Sequence, residues 1–320
     1  MVNRLERDTL IERLARPRGP FTRVEVHEST GSTNDDAEAR PEPYLLVVAA
    51  EQTAGRGRRA RAWASPPGTS VSMSLVLPLT AVPGGAPPDP GWIPLVVGLG
   101  VRDALLDLIG PHGARVTLKW PNDVLVEGAR ATSAAPTVHV SAGGEGGRAA
   151  GGAGGGDAGG AGGAAAAGDG APAKIAGILC QLLPGVDSVI AGIGINVTVP
   201  MEALPVPQGT AAPATSLHLC GAERPISREA VVEAVSLAVE RRHAAWLAGG
   251  ERAAALQREY RQLCVTVGAL VDVHLPGGEI RRATATGIAD GGELEIVDDR
   301  GFASTVRAGD VIHIRPRAGA

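Results

Sequence analysis

Along residues 21–126 short apolar runs alternate with turn residues, and three of them, TRVEVHE, YLLVVAA and VSMSLVLPL, read as strands. The third alternates serine with aliphatic residues, the pattern of a half-buried strand. From Trp92 to Leu108 the period changes. Ile93, Val96, Val97, Val101, Ala104, Leu105 and Leu108 recur at helical spacing with Arg102, Asp103 and Asp107 outside, which predicts an amphipathic helix. KIAGILCQLL and DSVIAGIGINV are continuous enough to be buried strands, and a Pro-rich connection leads to Ser227, a candidate N-cap. The helix that follows should face inward through Val232, Val235, Val239 and Trp246, and a second should cover Glu251 to Leu263. After Val265, short strands separated by PGGE, DGGE and DDRG turns predict a small antiparallel barrel.

This pattern divides the chain into a lead-in at 1–20, a mixed α/β domain at 21–264 and a C-terminal unit at 265–316. The lead-in has room for one or two helical turns and is too short for a domain. Between 128 and 173 the composition shifts to Gly and Ala with almost nothing that could pack, so a disordered insertion is expected. Lengthening a short turn to that extent takes between three and four doublings at about 0.6 kcal/mol each, roughly 2 kcal/mol. The runs flanking it can therefore still be adjacent strands. No internal self-similarity marks a repeat.

With 44% hydrophobic residues the chain can bury a full core, and a formal net charge of −4 supplies no global field for nucleic acid or an acidic membrane. Anion binding must then come from local clusters. Cys180, Cys220 and Cys264 lack CxxC spacing, so buried reduced thiols are expected rather than a disulfide framework or a zinc site. The first residues lack an apolar signal core and no apolar run is long enough for a membrane span, so a cytoplasmic location is expected.

Five segments carry candidate chemistry. EQTAGRGRRARAW, Glu51 to Trp63, follows an apolar strand and crowds Arg56, Arg58, Arg59 and Arg61 into a Gly-containing loop. Such a loop can offer guanidinium and backbone N–H donors to a polyphosphate, contact single-stranded RNA, or simply be a solvated basic loop; it is not a Walker loop, since no GK[ST] follows. In LKWPNDVLV the proline restricts Trp120 and holds Asn122 and Asp123 in one direction at a strand exit, where they could bind a metal, a ribose or only cap a turn. Lys174 opens the strand KIAGIL, an unusual place for a lysine unless it snorkels, and Gly177 leaves room for a ligand. GIGINV offers Asn196 beside glycines that a bulge or tight packing would equally explain. In STGSTNDDA, Ser32, Thr33 or Asn34 could cap a helix or bond a ligand's amide or ureido group.

Taken in this order, STN, the Gln before GRGRR, KWPND, KIAGIL and GIGIN resemble the biotin protein ligase family. The resemblance implies a mixed α/β (α+β) catalytic domain related to class II aminoacyl-tRNA synthetases and lipoate ligases, followed by a small SH3-like β-barrel. It implies that Ser32, Thr33 and Gln52 bond biotin's ureido ring, and that Arg56, Gly57 and Arg58 belong to a loop closing over biotin and the adenylate. Lys174 would touch the biotin carboxylate and the α-phosphate. Arg58, Arg61, Trp63, Asn122, Asp123 and Asn196 would line the nucleotide, with Asn122 and Asp123 also facing Mg²⁺. Two positions depart from the family: a usual Gly and a polar residue of the arginine loop are Ala60 and Ala62 here.

The implied substrates are ATP and biotin with Mg²⁺, and the implied partner is a biotin carboxyl carrier protein domain, with no nucleic acid, no membrane, and a monomer or weak homodimer. Twenty residues before the domain cannot supply the DNA-binding winged helix of some family members. Lys174, Arg56 and Arg58 are the expected catalytic cations, since biotin's carboxylate must approach the α-phosphate, another anion. The rival readings are a lipoate or octanoate ligase of the same fold and a nucleic-acid-binding module using the arginine loop, the latter disfavoured by an aromatic content of 2%.

Overall fold

The computed structural model describes residues 5–58, 63, 65–80, 89–110, 115–132, 171–207, 212–221, 225–275, 278–308 and 313–316. The lead-in contains α1 (Arg7–Leu14), whose Leu10 and Leu14 are buried. In chain order there follow β1 (Arg23–His27), α2 (Thr33–Ala39), β2 (Leu45–Ala49), β3 (Ser70–Pro78), α3 (Ile93–Ile109), β4 (Arg115–Lys119) and β5 (Asp123–Glu127). Next come β6 (Ala173–Leu182), β7 (Ser188–Asn196), α4 (Arg228–Leu247) and α5 (Gly250–Leu263). β1 to β7 make one sheet in the order β1-β2-β3-β7-β6-β5-β4, in which only β1 and β2, joined through α2, run parallel.

Val126 of β5 pairs with Ala173 of β6, so the strands flanking the insertion are neighbours as expected. Residues 133–170, which hold most of that tract, lie outside the described residues. Ser227 caps α4 by accepting from the Ala230 N–H at 3.1 Å, and Val232, Val235, Val239 and Trp246 are all buried along that helix.

Three expectations change. β3 is buried along nearly its whole length rather than on one side, because α2 covers the serine face. α3 buries Leu95 and Leu99 as well as its predicted face, because it lies between the sheet and α4, while Leu108 is only partly covered. β6 is not buried throughout: beyond the reach of β5 its end opens, and Leu182 is 60% exposed.

The C-terminal strands β8 (Leu270–His274), β9 (Ile280–Ile288), β10 (Leu294–Asp298), β11 (Ala303–Val306) and β12 (His313–Pro316) form a five-stranded antiparallel sheet in the order β11-β10-β9-β8-β12. Its ends, β11 and β12, are not paired with each other among the described residues. The DGGE turn between β9 and β10 anchors this sheet to the first domain. Trp92 Nε1 donates to Asp290 O at 2.7 Å and Trp120 Nε1 to Gly292 O at 3.0 Å. Arg261 donates to Ile288 O at 2.8 Å and stands over the Trp92 ring. Leaving a buried indole N–H without an acceptor is costly, and for Trp92 and Trp120 these two carbonyls provide one each. The Trp120–Pro121 peptide is cis.

Candidate active site

The exits of β1 and β2 stay paired beyond the strands themselves: Ala50 N–H donates to His27 O, Thr30 N–H to Glu51 O, Thr53 N–H to Thr30 O and Ala54 N–H to Gly31 O. This continuation brings Gln52 to the first turn of α2. Gln52 Oε1 accepts from Thr33 N–H at 2.8 Å and lies 3.0 Å from the Thr33 hydroxyl. With its oxygen so engaged, the amide turns its N–H donors toward Gly55, where an added Cβ would sit 2.9 Å from Nε2. Ser32 is buried at the N-cap position yet makes no side-chain capping bond, so capping does not account for its hydroxyl. A cluster of neutral donors and acceptors results from Ser32, Thr33 and Gln52, three residues the sequence singled out.

Beneath this cluster lie Ser74, which the sequence reading did not use, and Asn34, which it offered as a cap or a ligand contact. Ser74 Oγ, fully buried on β3, stands 2.7 Å from Thr33 Oγ1 and 2.6 Å from Asn34 Oδ1. Asn34 also reaches Leu179 O at 3.4 Å and packs on Gly192 of β7, where an added Cβ would collide with its amide. Ser74 pairs with Gly192, and Ser72 with Gly194, so the serine face of β3 and the glycines of β7 form one floor. The serine alternation in VSMSLVLPL was the available signal, and it pointed to a site rather than to solvent.

The other end of the floor is cationic. Trp63 N–H donates to Gly55 O at 2.8 Å, which holds Trp63 beside Gly55 and over the sheet. Its indole lies on Gly194, where an added Cβ would stand 2.5 Å from Cε2, and on Gly177, 3.2 Å from Cζ3. Its buried Nε1–H meets no acceptor among the described residues. Lys174 Nζ sits 5.6 Å from the centroid of this ring and 2.5 Å from Asp123 Oδ1. Burial alone would raise the Asp123 carboxyl, but Lys174, Lys119 and Arg58 outweigh it and hold its pKa below the ordinary value. Lys174 is fixed by its backbone too, donating to Pro213 O and accepting from Thr215 N–H.

The remaining candidates are placed less uniformly. Arg56 forms an ion pair with Asp35 in the first turn of α2, and Arg58 donates to Ala308 O of the C-terminal unit, with Gly57 between them. Arg61, like Arg59, Ala60 and Ala62, lies outside the described residues. Asn122 turns its side-chain amide to β6, Nδ2 donating to Ile178 O at 2.9 Å, while its backbone carbonyl accepts from Ile178 N–H. Asn196 donates to Thr215 O at 3.0 Å, tying β7 to the segment that holds Lys174. A cavity of about 280 Å³ opens beside Asn122, lined by Arg58, Pro94, Pro121, Leu179 and Cys180 among others. The three thiols are free; Cys220 and Cys264 are buried and Cys180 is partly so, and burial pushes Cys180 and Cys220 up to about 12.

No group of three or more His, Cys, Asp or Glu side chains that could hold a metal stands among the described residues. Asp123, the one carboxylate of the pair, already faces three cations, so this donor set does not fit a resident metal ion.

A profile of the Biotin/lipoate A/B protein ligase family matches residues 24–145, the stretch that includes the neutral cluster, the arginine segment and KWPND. The Biotin--[acetyl-CoA-carboxylase] ligase of Mycobacterium tuberculosis is 30% identical over 316 residues, covering 97% of this chain and 96% of that protein. The chain belongs to the biotin protein ligase family. A second member, the Biotin--[acetyl-CoA-carboxylase] ligase of Paracoccus denitrificans, is 38% identical over 191 residues, 58% of either chain. Among solved structures, the biotin protein ligase from Aquifex aeolicus in complex with biotin and ATP superposes with a TM-score of 0.63 at 20% identity, over 93% of this chain and all of that one. The fold is thus shared across the catalytic and C-terminal units, and the family is that of a ligase.

Proposed function

We propose that this ligase activates biotin with ATP to biotinyl-5′-AMP and pyrophosphate, then transfers biotin to a lysine of a biotin carboxyl carrier protein domain with release of AMP. One observation carries the reading: a single sheet face holds a neutral hydrogen-bonding cluster, Thr33 and Gln52, at one end and a cation, Lys174, beside an indole at the other. That is the complement of a molecule with an uncharged ureido head and a carboxylate tail. In the first step a carboxylate oxygen of biotin bonds to the α-phosphorus and pyrophosphate leaves. Two anions must approach, and Lys174, with Arg56 and Arg58, supplies positive charge where it accumulates. In the second step the neutral acceptor amine attacks the acyl carbon, the acyl–oxygen bond to AMP breaks and the amine loses its proton.

On this reading Ser32, Thr33 and Gln52 recognise the ureido ring, and Trp63 and Asn196 belong to the adenylate side with Asp123, which orients Lys174. Arg56, Gly57 and Arg58 belong to a segment that shields the mixed anhydride from water until the amine arrives. Arg56 and Arg58 must exchange Asp35 and Ala308 O for the substrate, which makes their described contacts a resting arrangement. Mg²⁺ accompanies the ATP phosphates as part of the substrate rather than as a protein-held ion. The C-terminal sheet is taken as the family's SH3-like unit, and the protein as a cytoplasmic monomer or weak homodimer acting on a carrier domain without nucleic acid. Among the described residues no helix is long and apolar enough to cross a membrane.

The test is biotin-dependent pyrophosphate release from MgATP by the purified chain, with lipoate and octanoate run in parallel, followed by label transfer to a carrier domain. Release with biotin alone is expected, because an aliphatic acid leaves the neutral cluster unpaired. Release only with lipoate or octanoate would replace the substrate, and silence with all three would return the arginine segment to a binding role.

A further inference from the structure

Arg228 is the first residue of α4 and only 2% exposed, among the largest fully buried side chains of the molecule. Two physical effects oppose a cation there. Burial strips its hydration, and the positive end of the helix dipole repels it. An aliphatic side chain would fill the space without either effect, so the guanidinium must hold something. Its Nη1 donates to Ala50 O at 3.3 Å, and Glu28 and Glu229 are the carboxylates whose charge acts on it. Ala50 is the first residue past β2 and Glu28 the first past β1. From these two points the paired segments run on to Ser32 and Thr33 on one side and Gln52 on the other.

We infer that Arg228 is a positioning residue for biotin recognition, a clamp from α4 that keeps the exits of β1 and β2 in register so that Thr33 and Gln52 meet. The inference rests on the reading of that cluster as the ureido site. Nothing in it involves the Lys174 and Trp63 end of the floor, so the effect of losing Arg228 is selective between the two substrates.

The experiment uses the full chain with Arg228→Met, Arg228→Lys and Gln52→Ala, measuring KM for biotin, KM for ATP and kcat in pyrophosphate release, with Tm for each variant. A misplacement near 1 Å in a binding group costs up to about a hundredfold in rate, so Arg228→Met is expected to raise the biotin KM at least about tenfold while ATP KM and kcat stay within about threefold. Arg228→Lys keeps the charge but loses the planar guanidinium that reaches Ala50 O, so it should fall between wild type and Met. Equal changes in both KM values, or a lowered Tm with both unchanged, would show a merely structural side chain and overturn the inference. Should Arg228→Met fail to fold, the Lys variant decides by the same split. If Gln52→Ala leaves the biotin KM unaltered, the ureido-site reading fails and the clamp with it; if Gln52→Ala raises it and the Arg228 variants do not, the clamp alone fails.

Discussion

Gly192 and Gly194 lie two residues apart on the same face of β7, and an added methyl at each meets a different neighbour. At Gly192 the methyl collides with Asn34 Oδ1 and comes within 3.0 Å of its Cγ and 3.1 Å of Nδ2. Since carbon contacts relax at about 3.5–4.0 Å and Oδ1 is the nearest atom, the amide must retreat by roughly 1 Å or more. Asn34 is buried and its Oδ1 stands 2.6 Å from Ser74 Oγ, so retreat also breaks that bond. Overpacking costs about 1–3 kcal/mol and a buried polar group left unsatisfied a similar amount. Allowing for partial relaxation, Gly192→Ala should cost about 2–4 kcal/mol, a fall in Tm of roughly 5–15 °C for a chain of this size. At Gly194 the nearest atoms the methyl meets are those of the Trp63 ring, 2.5 Å from Cε2 and 2.7 Å from Nε1. A ring edge with no hydrogen bond among the described residues can tilt, so stability should fall by about 1 kcal/mol, the low end for overpacking.

The two substitutions therefore separate the ends of the site. Displacing Asn34 disturbs Thr33, its neighbour in the first turn of α2, so Gly192→Ala should raise the biotin KM by about tenfold or more with a smaller effect on ATP. Displacing Trp63 should do the reverse. The assay is initial-rate pyrophosphate release with each substrate varied in turn, alongside thermal unfolding. Were both variants to shift the two KM values equally, or were the pattern inverted, the assignment of the neutral end to biotin and the indole end to nucleotide would be refuted.

Lys174→Ala should lower the rate of biotin-dependent pyrophosphate release by about 10²–10³, the usual loss for one preorganised charge contact; activity within about tenfold of wild type would remove Lys174 from the chemistry. Replacing residues 137–168 by a short Gly-Ser turn should leave kcat within about twofold, because loop length enters only through a small closure entropy and Val126 already pairs with Ala173; a severe loss in a folded variant would give the tract a function. His243 is buried, its Nε2 faces Pro78 O at 2.9 Å, and burial lowers its pKa to about 4. The folded state thus holds it neutral while the unfolded chain titrates near 6.5, so stability is fully present above about pH 6.5 and is lost as pH falls toward 4. Denaturant unfolding should show about 2–3 kcal/mol less stability at pH 4.5 than at pH 7 from this residue, and His243→Gln should reduce that decline; an identical decline in the variant would reject the assignment.

What could be read in advance divides along the range of the interactions involved. Most strands and helices follow from periodicities local to each segment, the neighbouring of β5 and β6 was admitted by the small closure cost of the tract between them, and Ser227 capped the predicted helix because a cap needs only the next turn. The segments bearing Thr33, Gln52, Trp63 and Lys174 were legible because each breaks its local pattern with polar, cationic or small residues where a core strand wants aliphatics. The groups that went unread obey their local pattern. Ser74 alternates as an ordinary half-exposed strand residue does, and Arg228 follows an N-cap like any solvated arginine; only sheet order and helix packing reveal that both are buried, and that Asn34, read as a cap or a ligand contact, is buried against the sheet. Their partners are remote: Ser74 meets α2, Asn34 meets β3 and β6, and Arg228 meets the exits of β1 and β2. Contact chemistry was therefore written in short motifs, whereas the alignment of those contacts was distributed over residues whose meaning is created by topology. A substitution at such a residue should act on affinity for one substrate rather than on the chemical step, and it is there, more than at the motifs, that the two ends of this site can be perturbed independently.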